Sequence, residues 1–299
     1  MEKLKSVTIG IINYYTCDLT VKCIKSIYES GTKSSFEICV VDNGSNDGLA
    51  ELLKKEYPEV RFIQNERNMG FAYANNQIIK QTQSSYYLLL NSDTVVLKGA
   101  LDNMVEFMDR NPDAGASGFK IYVKGMTVYK SCKRFLDYKT SFVIDTFLYK
   151  LFPSLIEKYY FSEFEYEKTI EVDQPMGAAL IVNRKTINDI GLLDERFFFF
   201  FEEADWCMRM KQQGWKIYFN NDSHVIHHKD YRGQRENLDR IYLWHRGKYI
   251  YLNKYHGPVK TILVKVFVNI SSLLYILRWA LVLKTEECRF YWMVIKASV

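Results

Sequence analysis

Ile38-Cys39-Val40-Val41-Asp42-Asn43-Gly44-Ser45 is an apolar run that stops on an acid and a turn. A strand that is apolar along its whole length is buried on both faces. The same pattern occurs on either side of it. Val7–Ile12 runs into Asn13-Tyr14-Tyr15, and Tyr86–Leu90 runs into Asn91-Ser92-Asp93. Between these runs the spacing turns helical: Leu19, Cys23, Ile24 and Ile27 share one face, and residues 49–57 and 71–82 repeat the pattern. A short run at 60–63, a helical stretch at 100–108 and an apolar run at 114–122 continue the alternation. The prediction is an α/β fold, with a mixed, mostly parallel sheet covered by helices on both faces. Ligands of such sheets bind beyond the carboxyl ends of the strands. Asn13, Asp42 and the Asn91-Ser92-Asp93 group are therefore expected at one site.

Farther along, residues 124–172 are rich in Tyr, Phe and Lys and are expected to form a loop with short helices over a sheet edge. Residues 177–182 read as a buried strand, 203–213 as a helix, 216–219 as a short strand and 237–255 as a helix. A long apolar stretch, 261–283, is interrupted by Lys265 and Arg278.

The 299 residues are 48% hydrophobic and 25% charged, which excludes a disordered chain. The net charge of +5 is too small to indicate nucleic acid, but it is unevenly spread. Residues 229–299 hold 13 Lys and Arg against 5 Asp and Glu, whereas the first 228 hold 27 against 30. A basic tail on a near-neutral body points to an anionic surface, for which membrane lipid is the usual candidate. The division expected from this is a catalytic domain at 1–228 and a basic, apolar helical region at 229–299. None of the six cysteines forms a C-x-x-C pair, so a reducing compartment is expected. Residues 1–6 carry no long apolar run, and no signal peptide is expected.

The chemistry rests on acids at strand ends. No G-x-G-x-x-G follows the first strand, and no P-loop or G-x-S-x-G elbow occurs, which removes the dehydrogenase, NTPase and hydrolase readings. Asp42 can accept from the imide N–H of uracil or thymine, or can simply form a turn. Asp93 can ligate Mg²⁺ or Mn²⁺, or can cap the segment after it. Glu202-Glu203-Ala204-Asp205 comes after five consecutive phenylalanines, 197–201. Acids there can open a helix, and a carboxylate buried against aromatics stays basic enough to take a proton. In His224-Val225-Ile226-His227-His228, alternation puts His227 on the face opposite His224 and His228. One of the three can join Asp93 at a metal.

Taken in order, these segments resemble the family 2 glycosyltransferases, in particular their bacterial rhamnosyltransferase-like branch. The resemblance is carried by 7–14, by Asp42-Asn43-Gly44-Ser45-Asn46-Asp47-Gly48, by 65–76 (Asn65 to Asn76), by Leu89-Leu90-Asn91-Ser92-Asp93, by Met176-Gly177-Ala178-Ala179, by 202–209 and by His227-His228. It implies a GT-A fold and a metal-dependent transferase that inverts the anomeric carbon, with Mn²⁺ or Mg²⁺ as cofactor. It assigns the base to Glu203, with Glu202 as rival and Asp205 in support. It assigns the metal to Asp93 and His227. It assigns the nucleotide-sugar to Ile12, Asn13, Tyr14, Asp42, Asn68, Gly70, Asn75, Asn91, Ser92, Gly177 and Arg209. Where the family pattern has its first metal-motif acid this chain has Asn91, and where the base is usually Asp it has Glu203.

The implied partners are a nucleotide-sugar donor, with dTDP-rhamnose the first guess and galactofuranose, glucose or galactose as rivals, and a glycan or lipid-linked acceptor. A non-catalytic nucleotide-sugar-binding or glycan-binding relative is the other reading. No nucleic acid is implied, and self-association is left open. Only 12 uncharged residues separate Lys265 from Arg278, short of the ~20 that a span needs. Residues 258–299 are therefore expected to lie on the inner face of the cell membrane.

Overall fold

The computed structural model describes residues 6–228 and 234–298. The chain divides into two compact units. The first holds the sheet and takes in residues up to 133, then 164–195 and 203–228. It begins with β1 (Val7–Asn13), α1 (Cys17–Glu29), β2 (Phe36–Asp42), α2 (Leu49–Glu56), β3 (Arg61–Gln64), α3 (Phe71–Gln81) and β4 (Tyr86–Asn91). Next come β5 (Thr94–Val96), α4 (Ala100–Arg110), β6 (Ala114–Val123), β7 (Thr127–Val128) and β8 (Cys132–Lys133). After an excursion into the second unit, which contains α5 (Tyr138–Ile144) and α6 (Pro153–Tyr159), come β9 (Ile170–Glu171), β10 (Gln174–Pro175), β11 (Ala179–Asn183) and α7 (Arg184–Ile190). Helix α8 (Glu202–Gln212) and β12 (Lys216–His227) close the sheet.

The strand order is β3-β2-β1-β4-β11-β6-β12-β5. The first four strands are parallel, β11 runs antiparallel between β4 and β6, and β6 and β12 are again parallel. The mixed α/β sheet read from the sequence is thus present. The chain leaves β1 in one direction to β2 and β3 and crosses back to β4, so β1 and β4 flank the switch point where such sheets bind ligands. Register brings the polar ends level, with Asn13 opposite Asp42 and Ile12 opposite Asn91. Val7, Ile9, Ile11, Leu88, Leu90 and Ile181 form the dry center of the core.

Two close approaches set this end of the sheet. A Cβ on Gly10 would fall 2.0 Å from the Tyr87 hydroxyl. The ring lies across β1 because Gly10 lacks a side chain, and its hydroxyl donates to Asn75 Oδ1 at 2.7 Å. At Gly44, with φ +83°, a Cβ would meet the Arg67 backbone at 2.5 Å, which locks the 42–48 turn onto the 65–70 loop.

Strand β5 went unread, since three residues carry too little pattern. It pairs with β12 and sets His227 opposite Thr94, beside Asp93. Strand β12 continues from 216 to 227 where only 216–219 reads as strand, because a register irregularity between Asn220 and His224 carries it past four polar residues.

The second unit comprises 134–163, 196–202 and three further helices: α9 (Gln234–His256), α10 (Pro258–Ala280) and α11 (Thr285–Lys296). Its boundary by compactness differs from the 228/229 division expected from charge, since 134–163 packs with the C-terminal helices. The cause is aromatic and ionic packing within the unit. Phe142 of α5 stacks on Phe267 of α10 with ring centroids 4.0 Å apart. The fully buried Lys248 of α9 donates to Asp145.

Helix α10 buries Val264 and Val268 against the other helices of the unit but leaves most of its large aliphatic side chains outside. Thr261, Ser271 and Ser272 are buried, while Ile262, Leu263, Val266, Ile270, Leu273 and Leu274 stand exposed. Among the described residues, α10 is the helix long and apolar enough to cross a membrane by length and composition.

Candidate active site

Asn13 is the hub at the end of β1. Its Nδ2 donates to Asp42 Oδ1 at 2.7 Å and to Ser45 Oγ at 3.0 Å. Its Oδ1 accepts from the Thr16 and Thr20 hydroxyls, each at 2.9 Å. Asp42, 1% exposed, accepts from five donors: Asn13 Nδ2, Ser45 Oγ, the Ser45 N–H, the Asn46 N–H and, at 2.6 Å, Gln64 Nε2. Burial pushes its pKa up, and the bonds from Ser45, Gln64, Asn13 and Asn46 outweigh that and hold the carboxyl below its usual range. A carboxylate has about four lone-pair sites, so the five donors saturate Asp42 in this arrangement. Both residues brace this end of the sheet. Tyr14 and Tyr15 are exposed at this end, edge-on to each other with ring centroids 4.9 Å apart, and Ile12 is half-buried.

The 65–76 segment is framework as well. Asn68 Oδ1 accepts from Asn43 Nδ2 and from the Gly70 N–H. The Gly70 carbonyl accepts a longer bond from Asn43. Asn75 is fully buried and bonded to Tyr87 and to the Phe71 carbonyl, which ties α3 to β4. Arg209 is likewise bonded within the fold. Its Nε donates to the buried Asp205 at 2.9 Å, and its two terminal nitrogens donate to the Ile190 and Leu192 carbonyls. Trp206 Nε1 binds the Gly191 carbonyl beside them. Asp205 and Arg209 thus clamp the 190–192 turn onto α8. Their motif is legible by residue type, but its bonds are spent inside the protein.

At the end of β4 the arrangement is different. His227 Nε2 lies 3.0 Å from Asp93 Oδ1, and the Asn91 amide is 3.4 Å from the same nitrogen. His227 is buried, and its Nδ1 has no hydrogen-bond partner. His224 is bonded instead to the Asn221 carbonyl. Ser92 Oγ meets the Thr16 hydroxyl at 2.9 Å, which ties this strand end to the Asn13 hub. One carboxylate, one imidazole and one amide suit a hard divalent cation whose remaining positions are filled by phosphate and water. Among the described residues no group of three or more His, Cys, Asp or Glu gathers.

Glu203 sits one short relay away. The Asn91 N–H donates to the Ala178 carbonyl, and next to Ala178 a Cβ on Gly177 would touch Glu203 Cβ at 3.4 Å and Cγ at 3.5 Å. Burial raises the Glu203 pKa. The N–H of Glu203 itself, the Lys133 ammonium and the N–H groups of Ala204 and Gly177 pull the other way without cancelling it. Oε2 is buried with no hydrogen-bond partner. A carboxylate of raised basicity with one oxygen uncommitted is equipped to take a proton. Glu202 is buried and falls in the second compact unit. Sequence reasoning missed Lys133, which lies in a stretch without periodicity. It also missed Gln64 and Ser45, whose roles depend on partners distant in the chain or hidden in a turn.

The profile of "Glycosyl transferase family 2" matches residues 8–182, more than half of the chain and the stretch that holds Asn13, Asp42, Asp93 and Gly177. The chain belongs to glycosyl transferase family 2. A relative within reach of this transferase is the N-acetylglucosaminyl-diphospho-decaprenol L-rhamnosyltransferase of Mycobacterium tuberculosis, 25% identical over 241 residues that cover 76% of this chain and 77% of the relative. A poly-beta-1,6-N-acetyl-D-glucosamine synthase of Staphylococcus epidermidis is 37% identical over 82 residues, 27% of this chain and 20% of the synthase. In fold the transferase is similar to GalNAc-T7, solved with UDP, GalNAc and Mn²⁺, at a TM-score of 0.61 and 14% identity over 85% of this chain and 48% of that one. It is also similar to the mannosyltransferase PcManGT of Pyrobaculum calidifontis, solved with GDP-Man and Mn²⁺, at a TM-score of 0.57 and 13% identity over 99% of this chain and 88% of that one. The fold is GT-A, as the resemblance implied.

Proposed function

We propose that this family 2 transferase moves a sugar, L-rhamnose from dTDP-rhamnose in the first instance, from a nucleotide-sugar onto a hydroxyl of a lipid-linked bacterial surface glycan, with inversion. The observation that carries it is Glu203, whose uncommitted buried oxygen has a raised affinity for protons. The activity named for the mycobacterial relative supports both the sugar and the lipid-linked acceptor. The acceptor oxygen attacks the anomeric carbon, the bond from that carbon to the diphosphate breaks on the opposite side, and the hydroxyl proton passes to Glu203 Oε2. Gly177 lies against the Glu203 side chain, and its N–H helps hold the carboxylate. Asp93 and His227, with the Asn91 amide, would hold Mn²⁺ or Mg²⁺. When bound, such a cation neutralises the leaving diphosphate. Tyr14 and Tyr15 offer ring faces to the base. Residues 258–299 rest on the cytoplasmic face of the membrane. Charged α9 and α11 suit headgroup depth, and the aliphatic face of α10 suits the hydrocarbon.

Glu203→Gln tests this reading. Transfer from dTDP-rhamnose to a synthetic lipid-linked N-acetylglucosamine should vanish, while donor binding measured by calorimetry stays at the wild-type value. Near-normal turnover in the variant would remove Glu203 as base.

A further inference from the structure

The second unit contains an open groove of about 450 Å³, within the ~300–1,000 Å³ range of small-ligand sites. It runs between α5, the 148–155 segment and α10, and its walls are hydrocarbon from Phe142, Leu148, Phe152 and Val264. Two of its lining residues are lysines, Lys139 and Lys260, and none is an acid. Both lysines are exposed. Lys260 Nζ sits 4.6 Å from the centroid of the Tyr138 ring, another lining residue, and with Lys139 it supplies the charge of the groove's rim.

Such a lining cannot orient a polar small molecule, because it offers almost no donors or acceptors below the rim. It suits a ligand with a long apolar body and a strongly anionic end. The outward face of α10 points to the phase from which that ligand comes. A continuous face of large aliphatic side chains left outside is not what water selects, and Leu263, 59% exposed, belongs both to that face and to the groove. A chain can therefore pass from a bilayer into the groove without crossing water, and every methylene it buries there adds to the affinity. Two cations, with no acid among the lining residues, complement a diphosphate better than a singly charged phosphodiester.

We propose that this groove binds the hydrocarbon chain of a polyprenyl diphosphate, with Lys139 and Lys260 receiving the diphosphate. The proposal rests on the lipid-linked acceptor of the preceding section and assigns that acceptor's anchor a binding site within the helical unit.

The full chain is titrated without donor, using geranylgeranyl diphosphate as probe and inorganic diphosphate, geranylgeraniol and phosphatidylglycerol vesicles as comparisons. Two variants are measured beside it: Lys139→Glu combined with Lys260→Glu, and Leu263→Trp, which narrows the groove from an exposed position. Geranylgeranyl diphosphate should bind at least about tenfold tighter than inorganic diphosphate or geranylgeraniol, and both variants should lose at least about tenfold. In transfer assays the KM for a polyprenyl-linked acceptor should rise in both variants while donor hydrolysis is unchanged. Equal binding of the probe by wild type and both variants overturns the proposal. So does full displacement of the probe by phosphatidylglycerol, which would mark a general lipid surface, and so does a variant effect confined to self-association. The titration needs no transfer, so loss of the transferase reading would show separately, as absence of donor binding in the wild type.

Discussion

The ends of β2 and β4 present acids of the same kind on the same shelf, and their surroundings have opposite characters. Asp42 is covered and receives five donors, which hold its pKa down. Asp93 faces a histidine whose other nitrogen is unpartnered, and Glu203, one relay beyond, keeps an oxygen with no hydrogen bond while burial holds its pKa up. A polar group whose bonding capacity is spent inside the fold is framework. A group left short of partners in a buried place is destabilising unless a ligand or a reaction completes it. On the proposed function, this difference separates the residues that build the site from those that act in it.

The largest effect expected from that separation is at the base. Glu203→Gln should lower kcat by about 10²- to 10⁴-fold, the usual contribution of a positioned general base, with the melting temperature held or raised. Next is the cation pair. His227→Ala should raise the Mn²⁺ concentration for half-maximal turnover by roughly 10- to 100-fold, read from metal titrations at saturating donor. If turnover in that variant ignored Mn²⁺ concentration, the two strand ends would not differ in kind. Framework changes should act on stability instead. Asn75→Leu leaves the Tyr87 hydroxyl buried and unpaired and should cost about 1–3 kcal/mol in urea unfolding, with kcat per folded molecule near wild type.

The smallest effect is in the pH profile. A base must be deprotonated, so the acid limb of kcat should lie above the ordinary carboxylate range, and Lys133→Met should move it further up by removing the charge that favours the ionised form. Asp42 gives the opposite dependence for stability. Its folded pKa is depressed, so its contribution is present above the unfolded value near 3.8 and fades as pH falls through the lower folded one.

Much of this was legible in the sequence because it is written locally. Apolar runs ending at Asn13, Asp42 and Asn91 predicted both the strands and the shelf, and alternation within 224–228 separated His227 from His224. The illegible part depends on partners far along the chain. Nothing near Asn75 announces that Tyr87 will reach it through the gap left by Gly10, and nothing near Arg209 announces the carbonyls of 190 and 192. The motif polar residues were visible as types, but whether their bonds point inward or outward is settled by packing. Strand β5 and helix α11 escaped for a simpler reason. One is three residues long, and the other lies beyond an apolar stretch that obscures where one helix stops and the next begins.

The most direct test takes Glu203→Gln and Asp42→Asn together and measures, on each, melting temperature and single-turnover transfer at saturating donor. The Glu203 variant should keep its melting temperature and lose transfer, and the Asp42 variant should melt lower while its folded fraction still transfers. Transfer retained by the Glu203 variant, or an Asp42 variant of native stability that is catalytically dead, would contradict the division of this site into frame and reagents.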